Sequence, residues 1–297
     1  MNQQKAASVK LITAMLIFGS IGIFVRHIPL SSGLVALVRA VVGVAFLLAV
    51  IFLRGNKVSF SAVRKNLLLL CVSGVAIGFN WRLLFESYRF TSVAVATLCY
   101  YMAPMLVILL SPLMLKESLT LKKCLCVAVS FAGMALISGI GSGFLSDAGD
   151  AKGIILGLGA AILYASVMLM NKRITDISAF DKTIIQLSVA GIVLIPYNIL
   201  TVDWSSLTLT LPAVGLLAFV GIVHTGFAYY LYFGSMEYLS GQSIAIFSYI
   251  DPVVAVLASV LLLQEPFSWL NALGAALIIG SAVISELPTK ARSGTYD

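Results

Sequence analysis

Ten apolar runs, each about as long as a bilayer is thick, follow one another along this chain with short loops between them. They fall at 9–26, 34–53, 67–88, 93–115, 122–140, 153–171, 183–201, 212–235, 242–263 and 267–286. A spanning helix needs roughly 20 mostly apolar residues. The short alternating segments of a β-barrel are absent, so the expected fold is an all-α membrane protein of ten transmembrane helices. Composition closes the alternatives. Hydrophobic residues make up 60% and charged residues 10% of the 297 positions, and mean hydropathy is +1.05. Soluble domains carry about 25% charged residues, so a soluble fold could not cover this much apolar surface.

The net charge of +7 does not point to nucleic acid, because the basic residues form no long patch and sit between apolar runs. Cys71, Cys99, Cys124 and Cys126 lack metal-site spacing with the two histidines and read as small packing residues, so neither metal nor cofactor is expected. The first run ends at Arg26 with no small-residue cleavage site and reads as a retained helix.

Lysine and arginine set the orientation. With the N-terminus inside, the inner loops carry Lys5, Lys10, Arg54, Lys57, Arg64, Lys65, Lys116, Lys122, Lys123, Lys172, Arg173, Lys182, Lys290 and Arg292. The outer loops carry Arg26, Arg89 and Lys152, while Arg39 and Arg82 lie within spans. That asymmetry, 14 against 3 of the 19, predicts that both termini are cytoplasmic; the location expected for such a multi-pass protein is the cell membrane, the inner membrane of a bacterium.

The chain also repeats itself. Shifted by 148 residues, 78–117 aligns without gaps to 226–265 and matches at 13 of 40 positions. Tyr101, Pro104 and Glu117 meet Tyr249, Pro252 and Glu265, which chance apolar matches do not explain. The expected domains are a first repeat at 1–141, a linker at 142–151, a second repeat at 152–287 and a tail at 288–297. Five helices per repeat is an odd number, so the second repeat enters the membrane inverted, an architecture that recurs in secondary transporters.

Each half resembles one EamA repeat of the drug/metabolite transporter superfamily. The resemblance rests on Tyr249-Ile-Asp-Pro-Val-Val-Ala255, on Leu263-Gln-Glu-Pro266 and on Gly274 and Gly280. The first half echoes it with Tyr101-Met-Ala-Pro104, Lys116-Glu117 and Gly133, and Arg39 stands where such repeats often carry an arginine. Lys116 and Gln264 stand where the family usually has glycine, and Gln186 lies near the second-half place of Arg39. The resemblance implies a five-plus-five bundle around a central cavity and transport, mostly efflux, of amino acids or other small metabolites.

Charges inside spans are the first candidates for mechanism. Each costs roughly 2.5–3.5 kcal/mol at a helix centre, so they should face the interior. Arg82 and Glu86 share a helix face, and depth places Arg39 level with Glu86, so the two are expected to meet as an ion pair or outer gate. Alternatively Arg39 or Arg82 captures a substrate carboxylate. Asp251 and His224 fall near the midplane and are candidates for proton coupling, with Glu86 a third. Pro104 and Pro252 are expected to kink the fourth and ninth spans beside the cavity, where Tyr100, Tyr101, Ser248 and Tyr249 would line it. Trp81, Tyr164, Tyr229 and Gln186 complete the candidate lining, and Trp204, Trp269 and Tyr238 read as interfacial anchors. Small residues on the fifth and tenth spans suit close helix packing and leave a homodimer open.

No HExxH pair, Walker motif or nucleophile elbow occurs, which argues against an enzyme or an ATP-driven pump. The expected function is secondary transport of a small molecule, with an uncoupled facilitator and a lipid carrier as alternatives.

Overall fold

A computed structural model describes residues 3–55, 58–115, 119–137, 148–205, 207–236, 238–239 and 241–287. Residues 142–147 of the expected linker, the tail from 288, Lys57, Lys116 and Glu117 lie outside them. The helices are α1 (Gln3–Arg26), α2 (Ser32–Leu53), α3 (Phe60–Lys65), α4 (Leu67–Phe90), α5 (Val93–Tyr100), α6 (Ala103–Leu115), α7 (Leu121–Ile137), α8 (Ala148–Arg173), α9 (Ala179–Thr201), α10 (Leu211–Gly221), α11 (Ala228–Met236), α12 (Gly241–Ser248), α13 (Ile250–Leu262) and α14 (Trp269–Glu286). A π-helical turn, Ile222–Phe227, joins α10 to α11.

Among the described residues, eight helices are long and apolar enough to cross a membrane, with α5–α6 and α10–α11 each counted as one, and a shorter apolar helix covers Ile246–Leu262. The helix α7 has 17 residues. Hydroxyl caps start several helices: Ser31, Ser92, Ser178, Thr210 and Ser268 each accept a first-turn N–H. Such a cap contributes about 1 kcal/mol.

The two spans expected to kink are interrupted outright, and at the same register of the repeat. The break between α5 and α6 falls at Tyr101–Met102, that between α12 and α13 at Tyr249. Pro104 and Pro252 supply the cause, since neither has an N–H for the carbonyl four residues back, that of Tyr100 or of Ser248. The π-turn in the eighth span was not anticipated, because its residues keep an ordinary apolar pattern.

Contacts at the helix ends show how the elements run. At one end Lys65 pairs with Asp176 at 2.5 Å, Arg54 donates to the Tyr230 hydroxyl at 3.1 Å, Arg173 donates to the Met114 carbonyl and Lys122 to that of Leu287. This is the basic end. Arg26, Ser31, Arg89, Thr201, Glu265 and Asn271 gather around two cavities at the opposite end. Long helices therefore alternate in direction.

Small residues let the helices approach. A Cβ on Gly133 would lie 2.7 Å from the Gly274 carbonyl, and one on Gly274 2.6 Å from the Gly133 carbonyl, while Ser130 and Ser281 share a 2.5 Å hydrogen bond nearby. This reciprocal contact fixes α7 against α14. Gly274→Leu should therefore destabilise the detergent-solubilised protein by about 1–3 kcal/mol, as overpacking does. Gly280→Ala, whose Cβ meets nothing within 4 Å, should not lower the unfolding temperature. The exposed Lys65–Asp176 pair holds the aspartate below its ordinary value of 3.8. Its contribution is thus constant through neutral pH and is lost only as pH falls through the depressed value. Asp176→Asn should leave the pH dependence of stability unaltered above about pH 5.

Candidate functional site

The guanidinium of Arg39, on α2, is 6% exposed in the middle of the bundle. Its Nε donates to Thr225 Oγ1 at 2.7 Å and its Nη2 reaches the His224 carbonyl at 3.5 Å. The π-turn makes this possible, because its wider winding leaves backbone and hydroxyl acceptors free to turn toward α2. Gly43 permits the close crossing, since a Cβ there would lie 2.5 Å from the Thr225 methyl carbon. The Trp81 ring lies under the guanidinium with 3.9 Å to its centroid, and Phe85 lies at 5.6 Å. A desolvated contact of the Trp81 kind is worth about 2 kcal/mol. No carboxylate lies within ion-pair distance of Arg39 among the described residues.

Asp251, on the first turn of α13, faces the same interior. It lies within Coulombic reach of Arg39 and of Tyr101. Tyr100 stacks on Tyr164 at 5.0 Å and 20°, and Tyr229 stacks on Phe233 at 5.5 Å. Tyr100, Tyr164 and Tyr229 lie within the same electrostatic neighbourhood as Arg39 and Asp251. Asp251, Tyr100, Tyr101 and Tyr229 are half-buried. The helix α1 crosses α13 closely at Gly19, where a Cβ would lie 2.5 Å from the Asp251 carbonyl.

Other candidates lie elsewhere. The expected meeting of Arg39 with Glu86 does not occur. Glu86 accepts from the Ser32 hydroxyl at 2.5 Å and pairs with Arg89 at 3.7 Å, so it faces the bundle end opposite the basic one. Arg82 lies over the Tyr197 ring at 5.4 Å, and its Nε has no partner. His224 is not joined to Asp251: its Nε2 shares a 3.1 Å hydrogen bond with Ser20, and Phe24 and Phe219 flank the ring. The amide of Gln186 bonds Ser73 at 2.6 Å and Asn171 at 2.8 Å, tying α4, α8 and α9 together. Tyr249 is buried in the core shared with α5 and α14, and the Ser248 hydroxyl donates to the Ile244 carbonyl at 2.8 Å. Sequence reasoning missed Thr225, the acceptor that positions Arg39, and missed any role for Glu265 beyond its place in the repeat.

Two cavities of about 570 and 510 Å³ open at the end opposite the basic one, both bordered by Arg26 and Arg89. Phe85 and Tyr88, buried at 1% and 3% exposure, close the floor of the larger one above Arg39.

The model of the EamA-like transporter family matches residues 6–139 and again 151–286. The chain belongs to that family. EamA-family relatives include a protein of Bacillus subtilis (strain 168) described as uncharacterized transporter YxxF, 32% identical over 261 residues that cover 86% of this chain and 81% of that one. Protein PecM of Dickeya dadantii (strain 3937) is 26% identical, covering 69% of this chain and 68% of its own. A solved crystal structure has the same fold, with a TM-score of 0.66 at 20% identity and coverage of 94% and 96%. This EamA protein is thus a multi-pass membrane transporter.

Thr225→Val keeps the side-chain shape but removes the acceptor for the Arg39 Nε. It should cost about 1.5–3 kcal/mol, the worth of a hydrogen bond to a buried charge, read as a lower unfolding temperature in detergent. An unchanged temperature would mean that Thr225 does not hold Arg39.

Proposed function

We propose that this EamA protein is a secondary active exporter of small polar metabolites such as amino acids, driven by proton exchange and working by alternating access. Ten helices form two inverted five-helix halves, with the basic end cytoplasmic as the lysine and arginine distribution favours. The single observation that carries the reading is a buried Arg39 with no protein carboxylate on it among the described residues, within Coulombic reach of Asp251, Tyr100 and Tyr229. A buried charge is costly unless something completes its coordination. A substrate carboxylate would do so at Arg39, and a substrate ammonium or a proton would do so at Asp251. The tyrosine rings supply apolar walls with polar edges.

The helix packing favours loading from the cytoplasm. At the outer side of the two breaks, α5 packs against α13, whereas among the described residues no comparable contact joins α6 to α12 at the inner side. The helix α6 leans on α7 and α8, and α12 on α1 and α14, so the inner arms diverge.

The test is counterflow of a labelled amino-acid panel in proteoliposomes, with and without an imposed pH gradient. Saturable flux that responds to the gradient is the expected result. Asp251→Asn should abolish the response while leaving exchange intact, and Arg39→Gln should weaken carboxylate substrates by about 10–100-fold and uncharged ones little. Saturable flux indifferent to the gradient would make the protein a uniporter or exchanger. Flux only of long-chain lipids would replace the metabolite reading with a carrier of lipids.

A further inference from the structure

We propose that Glu265 is the residue that positions the outer gate, holding the outer arms of the two broken helices together. This rests on the alternating-access reading and names the contact that such a movement must break. The carboxylate lies in the turn between α13 and α14. Its Oε2 accepts the Val93 N–H, at the first residue of α5, at 2.8 Å, and the Ser259 hydroxyl of α13 at 2.5 Å. Ser259 in turn accepts the Ala94 N–H at 3.3 Å. Two of the orphan donors at the start of α5 are thus satisfied by side chains from the other half of the chain. The negative charge also sits on the positive end of α5, where the helix dipole favours it.

The contact is placed where it controls access. The helices α5 and α13 are the outer arms of the two breaks, and they pack together only at this side of the interior. Arg26 adds a third helix: its Nη1 donates to the Thr91 carbonyl at 3.4 Å and its Nη2 lies 3.8 Å from Glu265 Oε1. That oxygen has no hydrogen-bond partner and is buried, so the grip is incomplete on one side. A fully satisfied carboxylate would fasten the arms; one oxygen left without a hydrogen bond lowers the cost of release. The backbone aims the side chain. Gln264 adopts φ of 52°, the left-handed region that favours glycine, and this reverses the chain so that the Glu265 N–H bonds the Ser259 carbonyl at 3.2 Å. Glu86 and Arg89 lie at the same end but serve α2 and α4, neither of them a broken span.

The experiment reads sidedness and needs no substrate. The reporter is Tyr100→Cys, facing the interior, in a chain whose four native cysteines are replaced by serine or alanine. A membrane-impermeant maleimide is added to right-side-out or to inside-out vesicles. With Glu265 intact, labelling from the inner face should exceed labelling from the outer face. Glu265→Gln should raise outer-face labelling roughly ten- to a hundredfold, the factor that losing a charge-assisted hydrogen bond corresponds to, and should lower inner-face labelling. Ser259→Ala, which removes one donor and keeps the charge, should shift both in the same directions by less. Labelling that rises from both faces would mean that Glu265 only stabilises the fold, and unchanged labelling would mean that it holds no gate; either overturns the proposal. A reporter labelled from one face alone in every variant would instead overturn alternating access itself.

Discussion

A backbone N–H or carbonyl left unpaired in hydrocarbon costs several kcal/mol, and the architecture follows from where the chain accepts that risk. Most spans avoid it by being unbroken helices. Three do not. The breaks at Tyr101 and Tyr249 and the π-turn at Ile222–Phe227 all interrupt the regular ladder, and all three lie inside the bundle. There the His224 carbonyl of the π-turn meets Arg39, and α1 crosses closely over the start of α13 at Gly19. Irregular backbone at membrane depth marks where a cavity is built.

The same logic places the charges. Arg39 is held by neutral partners, Thr225, a carbonyl and the face of Trp81, so its charge is oriented but not neutralised. Asp251 is near enough to feel it and too far to form a direct ion pair with it. A directly bonded pair would be self-sufficient and would leave a substrate nothing to complete. On the proposed reading, that separation leaves both charges available to a ligand or a proton. Gln186, Asn80 and Asn198 do the opposite work: their buried amides bond across α4, α8, α9 and α2, fixing those helices as a frame.

Much of the fold was legible in the sequence because hydrocarbon length and proline chemistry act locally. Apolar runs located the helices within a few residues, and the aligned prolines located both breaks. The family's preference for glycine before the loop glutamate also has a local cause, since Gln264 occupies the left-handed region that glycine favours. The contacts were less legible. Depth along a helix put Arg39 level with Glu86, but it says nothing about azimuth, and Glu86 turned toward Ser32 and Arg89. The π-turn left no mark, because its residues fit an α-helical pattern as well. Glu265 could be aligned but not interpreted, since its donor Val93 lies 172 positions away in the chain.

The central proposal is that, with the basic end cytoplasmic, two broken helices exchange an outer closure for an inner one around Arg39 and Asp251. The most direct test is pulsed-EPR distance measurement in lipid nanodiscs, between spin labels at Arg89 and Leu262 near the outer ends and at Leu113 and Tyr238 near the inner ends. Each site is exposed. Between about pH 5 and pH 8, with ligands from the amino-acid panel, the account predicts two populations in each distribution. The outer distance lengthens in the population whose inner distance shortens. A single fixed population at both ends, or two distances that lengthen together, would contradict it.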